Sequence, residues 1–174
     1  QMTLFADEPL RQAPAATADL EGAQPHLVVT PPALVEVVEQ LTAAGRVAFD
    51  TETTGKDPYS AELCGVAVAW GPALDQAAYI AVKHEGAECL PWETVRAALA
   101  PVFADEKIEK LAHNASYDIA MLNRYGIEVR GKLSDTMVAA WLIDPGTRVV
   151  PVLHDSPGPT CGGDCCDSGT DEQG

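Results

Sequence analysis

Positive charge is scarce in this sequence. Only 11 Lys and Arg stand against 26 Asp and Glu in 174 residues, a formal net charge of −15, which excludes a protein that grips nucleic acid through a broad basic surface. Any contact with a polyanion has to be local. Long hydrophobic runs are missing as well: nothing approaches the roughly 20 apolar residues that span a bilayer, and residues 1–24 lack the basic-then-apolar order of a signal peptide. A cytoplasmic protein with no membrane partner is expected. No internal repeat is visible, and the chain opens with Gln1 rather than Met, so it reads as a processed product or a piece of something longer. What is present is 47% apolar residues, enough to build the core of one domain.

The charge is uneven, at −3 over residues 1–24, −7 over 25–148 and −5 over 149–174. The first stretch is Ala, Pro and polar residues without periodicity, and reads as a flexible linker. The last is rich in Gly, Pro, Cys and Asp and has neither helical nor strand pattern. The folded unit is therefore expected over 25–148. Within it, Thr30 and Pro31 open a helix carrying Leu34, Val37, Val38 and Leu41 on one face, and Gly45 stops it. Three short apolar runs at 46–52, 63–70 and 77–82 predict successive antiparallel strands. A helix near 92–103, a strand near 110–113, a helix over 115–125 and another over 136–143 opened by Asp135 follow. This order predicts an α/β fold, a mixed sheet covered by helices.

Two places carry chemistry. In VAFDTETTG, residues two apart share a strand face, so Asp50 and Glu52 set two carboxylates about 6 to 7 Å apart on one side. Hard oxygen donors at this spacing suit Mg²⁺ or Mn²⁺. The competing reading ends the strand at Phe49 and leaves DTETTG as a solvated loop. In HNASYDIAML, a rotation of 100° per residue puts Asp118 at the centre of an apolar stripe with Ala115, Met121 and Leu122, while Ser116, Ala120, Asn123 and Arg124 face away. A carboxylate so placed is paired or metal-bound; Lys110 and Arg124 are the candidate cations, and a metal ion is the favoured alternative. Asn114, one turn earlier, either steadies a ligand or caps the helix.

VAFDTETTG, AYIAVKHEG, KLAHNASYDIAMLNRYGIEVRG and SDTMVAAWLIDPGTR resemble, in order and spacing, the proofreading 3′-5′ exonuclease domain of bacterial DNA polymerase I, a ribonuclease H-like fold. The resemblance covers residues 25–148, and QMTLF is similar to the linker before that domain. It implies Asp50, Glu52 and Asp118 as catalytic metal ligands, and Thr51, Thr53 and Asn114 as contacts to the substrate. It also implies two divalent ions that activate a water and stabilise the departing 3′ oxygen, a single-stranded or frayed 3′ end of DNA as substrate, and a polymerase domain in the full-length protein. The three carboxylates are expected to converge on one metal site.

The family's third motif, a Tyr or His four residues before a final Asp, has no counterpart. All four tyrosines, Tyr59, Tyr79, Tyr117 and Tyr125, come earlier, and His154 has Gly158 four residues on. A fragment or frameshifted tail is expected after Arg148, with weak or absent activity. A catalytically silent, structural or nucleic-acid-binding remnant of the same fold stays open beside the exonuclease reading. An aspartyl phosphatase would want Asp, not Glu, at position 52. CGGDCC, with Cys161, Cys165, Cys166 and His154, lacks the paired spacing of a four-ligand zinc site. Cys64 and Cys89 read as reduced structural thiols, Trp92 and Trp141 as core, and His84 and His113 as structural.

Overall fold

The computed structural model describes residues 24–143. All of the expected linker but Gln24, and the whole Cys-rich tail with its zinc candidates, lie outside the described residues. The elements are β1 (His26–Val28), α1 (Pro31–Ala44), β2 (Arg46–Thr53), β3 (Leu63–Ala69), a single 3₁₀ turn at Leu74–Gln76, β4 (Ala77–Ala81), α2 (Trp92–Ala104), β5 (Glu109–Ala112), α3 (Ala115–Arg124), β6 (Leu133–Asp135) and α4 (Thr136–Ile143). Six strands form one sheet in the order β1-β4-β3-β2-β5-β6. The meander β2-β3-β4 is antiparallel, while β1 joins β4, β5 joins β2 and β6 joins β5 in parallel. This is the mixed α/β sheet that the sequence predicts.

The sheet has one strongly apolar face because alternate residues of paired strands stack in register. Phe49 lies opposite Val68, Thr51 opposite Val66, and Val66 opposite Ile80. Against these pack the buried stripes of α1 (Leu34, Val37, Leu41) and α2 (Val95, Leu99, Val102, Phe103). Phe103 meets Phe49 edge to face, with centroids 5.1 Å apart, a geometry that suits the ring quadrupoles. On the opposite face Gly65 is obligatory, since a Cβ there would overlap the Tyr79 hydroxyl.

Helix ends follow local chemistry, with one difference from expectation. Gly45 takes φ 64° and its N–H reaches the Thr42 carbonyl, which terminates α1. Thr30 precedes that helix in extended conformation, but its hydroxyl makes no cap bond; its carbonyl accepts the Leu34 N–H instead. β1 and β6, three residues each, are unforeseen. LSD and HLV carry too few apolar positions for a periodicity, and their strand character comes from the parallel neighbour.

Trp141 departs from the core position expected of it. It is 59% exposed, Val138 51% and Leu142 80%, and among the described residues α4 buries no side chain. Trp92 is as expected, half-buried edge-on to Tyr125 at 5.4 Å. No helix among the described residues is long and apolar enough to cross a membrane.

The core assignment predicts that Phe103→Ala lowers unfolding free energy in urea by about 3–5 kcal/mol. Leu142→Ser, at the far end of α4, is expected to change it by no more than about 0.5 kcal/mol.

Candidate active site

β2 runs unbroken through Asp50, Thr51 and Glu52 to Thr53, so the solvated-loop reading of DTETTG does not hold. It outreaches its parallel neighbour: pairing with β5 stops at Ala48 opposite Leu111. Past that point β2 has an open edge, and α3, which begins three residues after β5 ends, lays Asp118 against it. The Thr51 N–H donates to Asp118 Oδ1 at 2.9 Å and the Thr51 hydroxyl donates to the same oxygen at 2.6 Å. The side-chain acceptor thus takes the place that a strand carbonyl would have held.

Asp118 is 2% exposed, in the company of Ala115, Met121 and Leu122, as helical spacing predicts. Burial pushes its carboxyl up to about 6 from an ordinary 3.8; the nearby Asp50 charge adds to the rise, and the Thr51 donors oppose it. Neither candidate cation is its partner. The Lys110 ammonium, itself buried and pushed below the usual lysine range by desolvation, donates to the Asp105 carbonyl at 2.5 Å. Arg124 donates to the Ala61 carbonyl.

Asp50 and Glu52 alternate with Thr51 along β2, opposite Ala67 and Gly65 of β3, and so leave the strand on the face away from Thr51. The burial of β2 follows this alternation, with Val47, Phe49 and Thr51 buried and Asp50 exposed. The register shifts between Glu52 and Thr53. Such irregularities bend a strand and re-aim its side chains. Among the described residues no three His, Cys, Asp or Glu side chains are grouped to hold one metal ion. The donor set itself, carboxylates and a hydroxyl, is all oxygen and fits a hard divalent cation. The pair already acting on one another are Asp50 and Asp118.

Thr53 ties the strand to α3 a second time. Its hydroxyl shares a hydrogen bond of 2.7 Å with the Tyr117 hydroxyl and donates to the Gly55 carbonyl at 2.9 Å. Asn114 stands at the N-cap of α3 in the left-handed region, φ 63°, without a side-chain cap bond. Its Oδ1 accepts from the Ser116 hydroxyl at 3.1 Å. The cap comes from Asp135, which sequence reasoning credits only with its own helix. Its carboxylate accepts from the N–H groups of Asn114 (3.1 Å) and Ala115 (2.9 Å) at the start of α3, and from Met137 (2.8 Å) in α4. Burial pushes Asp135 up, but these donors outweigh it and hold the carboxyl below its usual range. His113 and Thr136 share a hydrogen bond of 2.9 Å beside it. His84, after β4, bonds Tyr79 at 2.7 Å, and Cys64 and Cys89 are free thiols. All four are consistent with structural roles.

A family model for the 3′-5′ exonuclease, DNA_pol_A_exo1, matches residues 25–154. The chain belongs to the 3′-5′ exonuclease family of DNA polymerase A. This exonuclease chain is 38% identical over 143 residues to DNA polymerase I of Chloroflexus aurantiacus, covering 82% of this chain and 14% of that protein. To DNA polymerase I of Synechocystis sp. it is 36% identical over 126 residues, 70% of this chain and 13% of that one. It thus spans about a seventh of the length of these curated relatives. Among solved structures, the POL domain of Pol1 from M. smegmatis, in complex with DNA primer-template and dNTP, superposes with TM-score 0.54 at 27% identity, covering 71% of this chain and 20% of that one. Trypanosoma brucei RNase D does so with TM-score 0.54 at 20% identity, covering 66% and 39%, which shows a shared fold with a ribonuclease H-like exonuclease.

The raised Asp118 carboxyl sets a pH dependence of stability. Folding takes up a proton between pH 3.8 and about 6, so the folded state loses stability as pH rises through that window, by roughly 3 kcal/mol in all. In cation-free buffer, Asp118→Asn is expected to raise the urea midpoint at pH 8 and to bring almost no gain at pH 4. Urea melts at pH 4, 6 and 8 check this; a gain that does not change with pH would contradict it.

Proposed function

We propose that Asp50, Glu52 and Asp118 are the metal-ligating carboxylates of a 3′-5′ DNA exonuclease. Their work would be to hold Mg²⁺ or Mn²⁺ against the last phosphodiester of a single-stranded or frayed 3′ end. One observation carries this reading: the buried Asp118 carboxylate is held to β2 between Asp50 and Glu52, with the Asp50 charge acting on it, in a chain of the exonuclease family. Bound divalent ions supply Lewis acidity and a nucleophilic water at neutral pH. The chain's own residues do the rest. Asp118, kept from water, offers a carboxylate fixed by two donors. Asp50 and Glu52 arrive from the strand as the opposing ligands, drawn together by the cation that relieves their mutual repulsion. Thr53 and Asn114, at the open end of β2 and the start of α3, are placed to meet the terminal nucleotide.

The cation also answers the charge problem. A domain with net charge −15 repels a polyanion at range, and positive charge confined to the metal site restores attraction at the reacting phosphate alone. A 3′ end must unpair before its last phosphate enters such a cleft, so single strands are the preferred substrate. The curated relatives are DNA polymerases I, which supports a polymerase domain in the natural protein and residues 25–148 as the exonuclease unit.

A silent remnant of the fold is the second reading, favoured by the ungrouped carboxylates among the described residues and by the absence of a Tyr or His four residues before an Asp after α4. Loss of one supporting group around a metal commonly costs about 10 to 100-fold, so the 174-residue chain is expected to trim slowly. Digestion of a 3′-hydroxyl single-stranded DNA oligomer with Mg²⁺ or Mn²⁺ tests this. Slow release of 5′-mononucleotides, abolished in Asp50→Ala and Asp118→Asn, supports the exonuclease. No release at any enzyme concentration supports the remnant, and release indifferent to both substitutions overturns the assignment.

A further inference from the structure

We propose that Thr51 is a positioning residue for the metal site, acting on Asp118 in place of the substrate contact that family resemblance implies for it. The proposal rests on the reading of Asp118 as a metal ligand and concerns which of its oxygens is offered. Thr51 is 7% exposed, too enclosed to meet a polymer end, and its hydroxyl and its N–H both donate to one atom, Asp118 Oδ1. Two donors on one oxygen fix the plane of the carboxylate and leave Oδ2 as the oxygen that Thr51 does not take. A monodentate ligand turned toward the Asp50 side is the result.

The position of Thr51 in the fold makes this arrangement specific. Its N–H is available only because pairing of β2 with β5 ends at Ala48, and its hydroxyl shares the helix-side face because Asp50 and Glu52 occupy the alternate positions. One residue thereby spaces the two strand carboxylates and orients the helix carboxylate. The hydroxyl also offsets some of the cost of burying that charge while no cation is present. Removal of the hydroxyl lets the carboxylate rotate about the single remaining backbone bond, and the cation then has to select one orientation from several.

The test compares Thr51→Val, which keeps the shape and the backbone N–H, with Thr51→Ser, which keeps the hydroxyl, and with Asp50→Asn. The full chain is titrated with Mn²⁺ and binding is followed by water-proton relaxation, with thermal melts to confirm folding. Thr51→Val is expected to weaken Mn²⁺ binding about 10 to 100-fold, and Thr51→Ser to stay within about threefold of the parent chain, well inside that range. Mn²⁺ bound by the parent, lost in Asp50→Asn yet retained within about twofold in Thr51→Val, well short of that loss, overturns the positioning role alone. If Thr51→Val fails to fold, Thr51→Ser decides: retained affinity supports the hydroxyl, and a loss of more than about tenfold, as large as that expected for Val, overturns it. A parent chain that binds no Mn²⁺ overturns both this proposal and the metal-site reading beneath it.

Discussion

A carboxylate withdrawn from water without a cation is the constraint around which this domain is arranged. Isolated burial of such a charge is expensive, and Asp118 tolerates it because Thr51 supplies two donors to one oxygen. Those donors exist only where β2 projects past β5, so the length of one strand and the start of one helix are tied to a single side chain. Thr53 and Tyr117 repeat the tie one step along. The apolar contacts of α3, through Ala115, Met121 and Leu122, set its distance from the sheet. The polar contacts set its axial position and hence where its acid lies.

Apolar packing and polar chemistry are divided between the two faces of β2. Val47 and Phe49 anchor the strand under α1 and α2, and Asp50 and Glu52 project from the other side, opposite the small residues Ala67 and Gly65. Small residues there leave room beside the carboxylates, and the Tyr79 ring fills the volume next to Gly65. The strand can be rigid where it carries the core and open where it carries charge, a division that a two-residue period makes simple to encode.

Much of this was legible in the residues themselves. The inward face of α3 followed from 100° spacing because Ala115, Asp118, Met121 and Leu122 depend on helix geometry alone. The meander followed from three short apolar runs separated by turn residues. Asn114 escaped the same reasoning: it lies before the helix, in a left-handed conformation, where helical angles do not apply. Thr51 was legible as a member of a motif but not as the partner of Asp118, since that depends on where β5 stops, a fact of strand pairing rather than of pattern. Asp135 carried a cap signal for α4, and its second role at α3 required β6, whose LSD sequence has no periodicity to read. Trp141 was misplaced because an apolar helix suggests a core whether or not an element lies over it.

The double use of Asp135 has a consequence for motion. One carboxylate holds the first amides of α3 and of α4, so neither helix start can fray without loosening a partner of the other. The amides of Asn114, Ala115 and Met137 therefore belong to one opening unit, and their hydrogen exchange is governed by a common event rather than by the depth of each residue. The exposed α4, at the margin of the described chain, is in this way kinetically wired to the helix that carries Asp118.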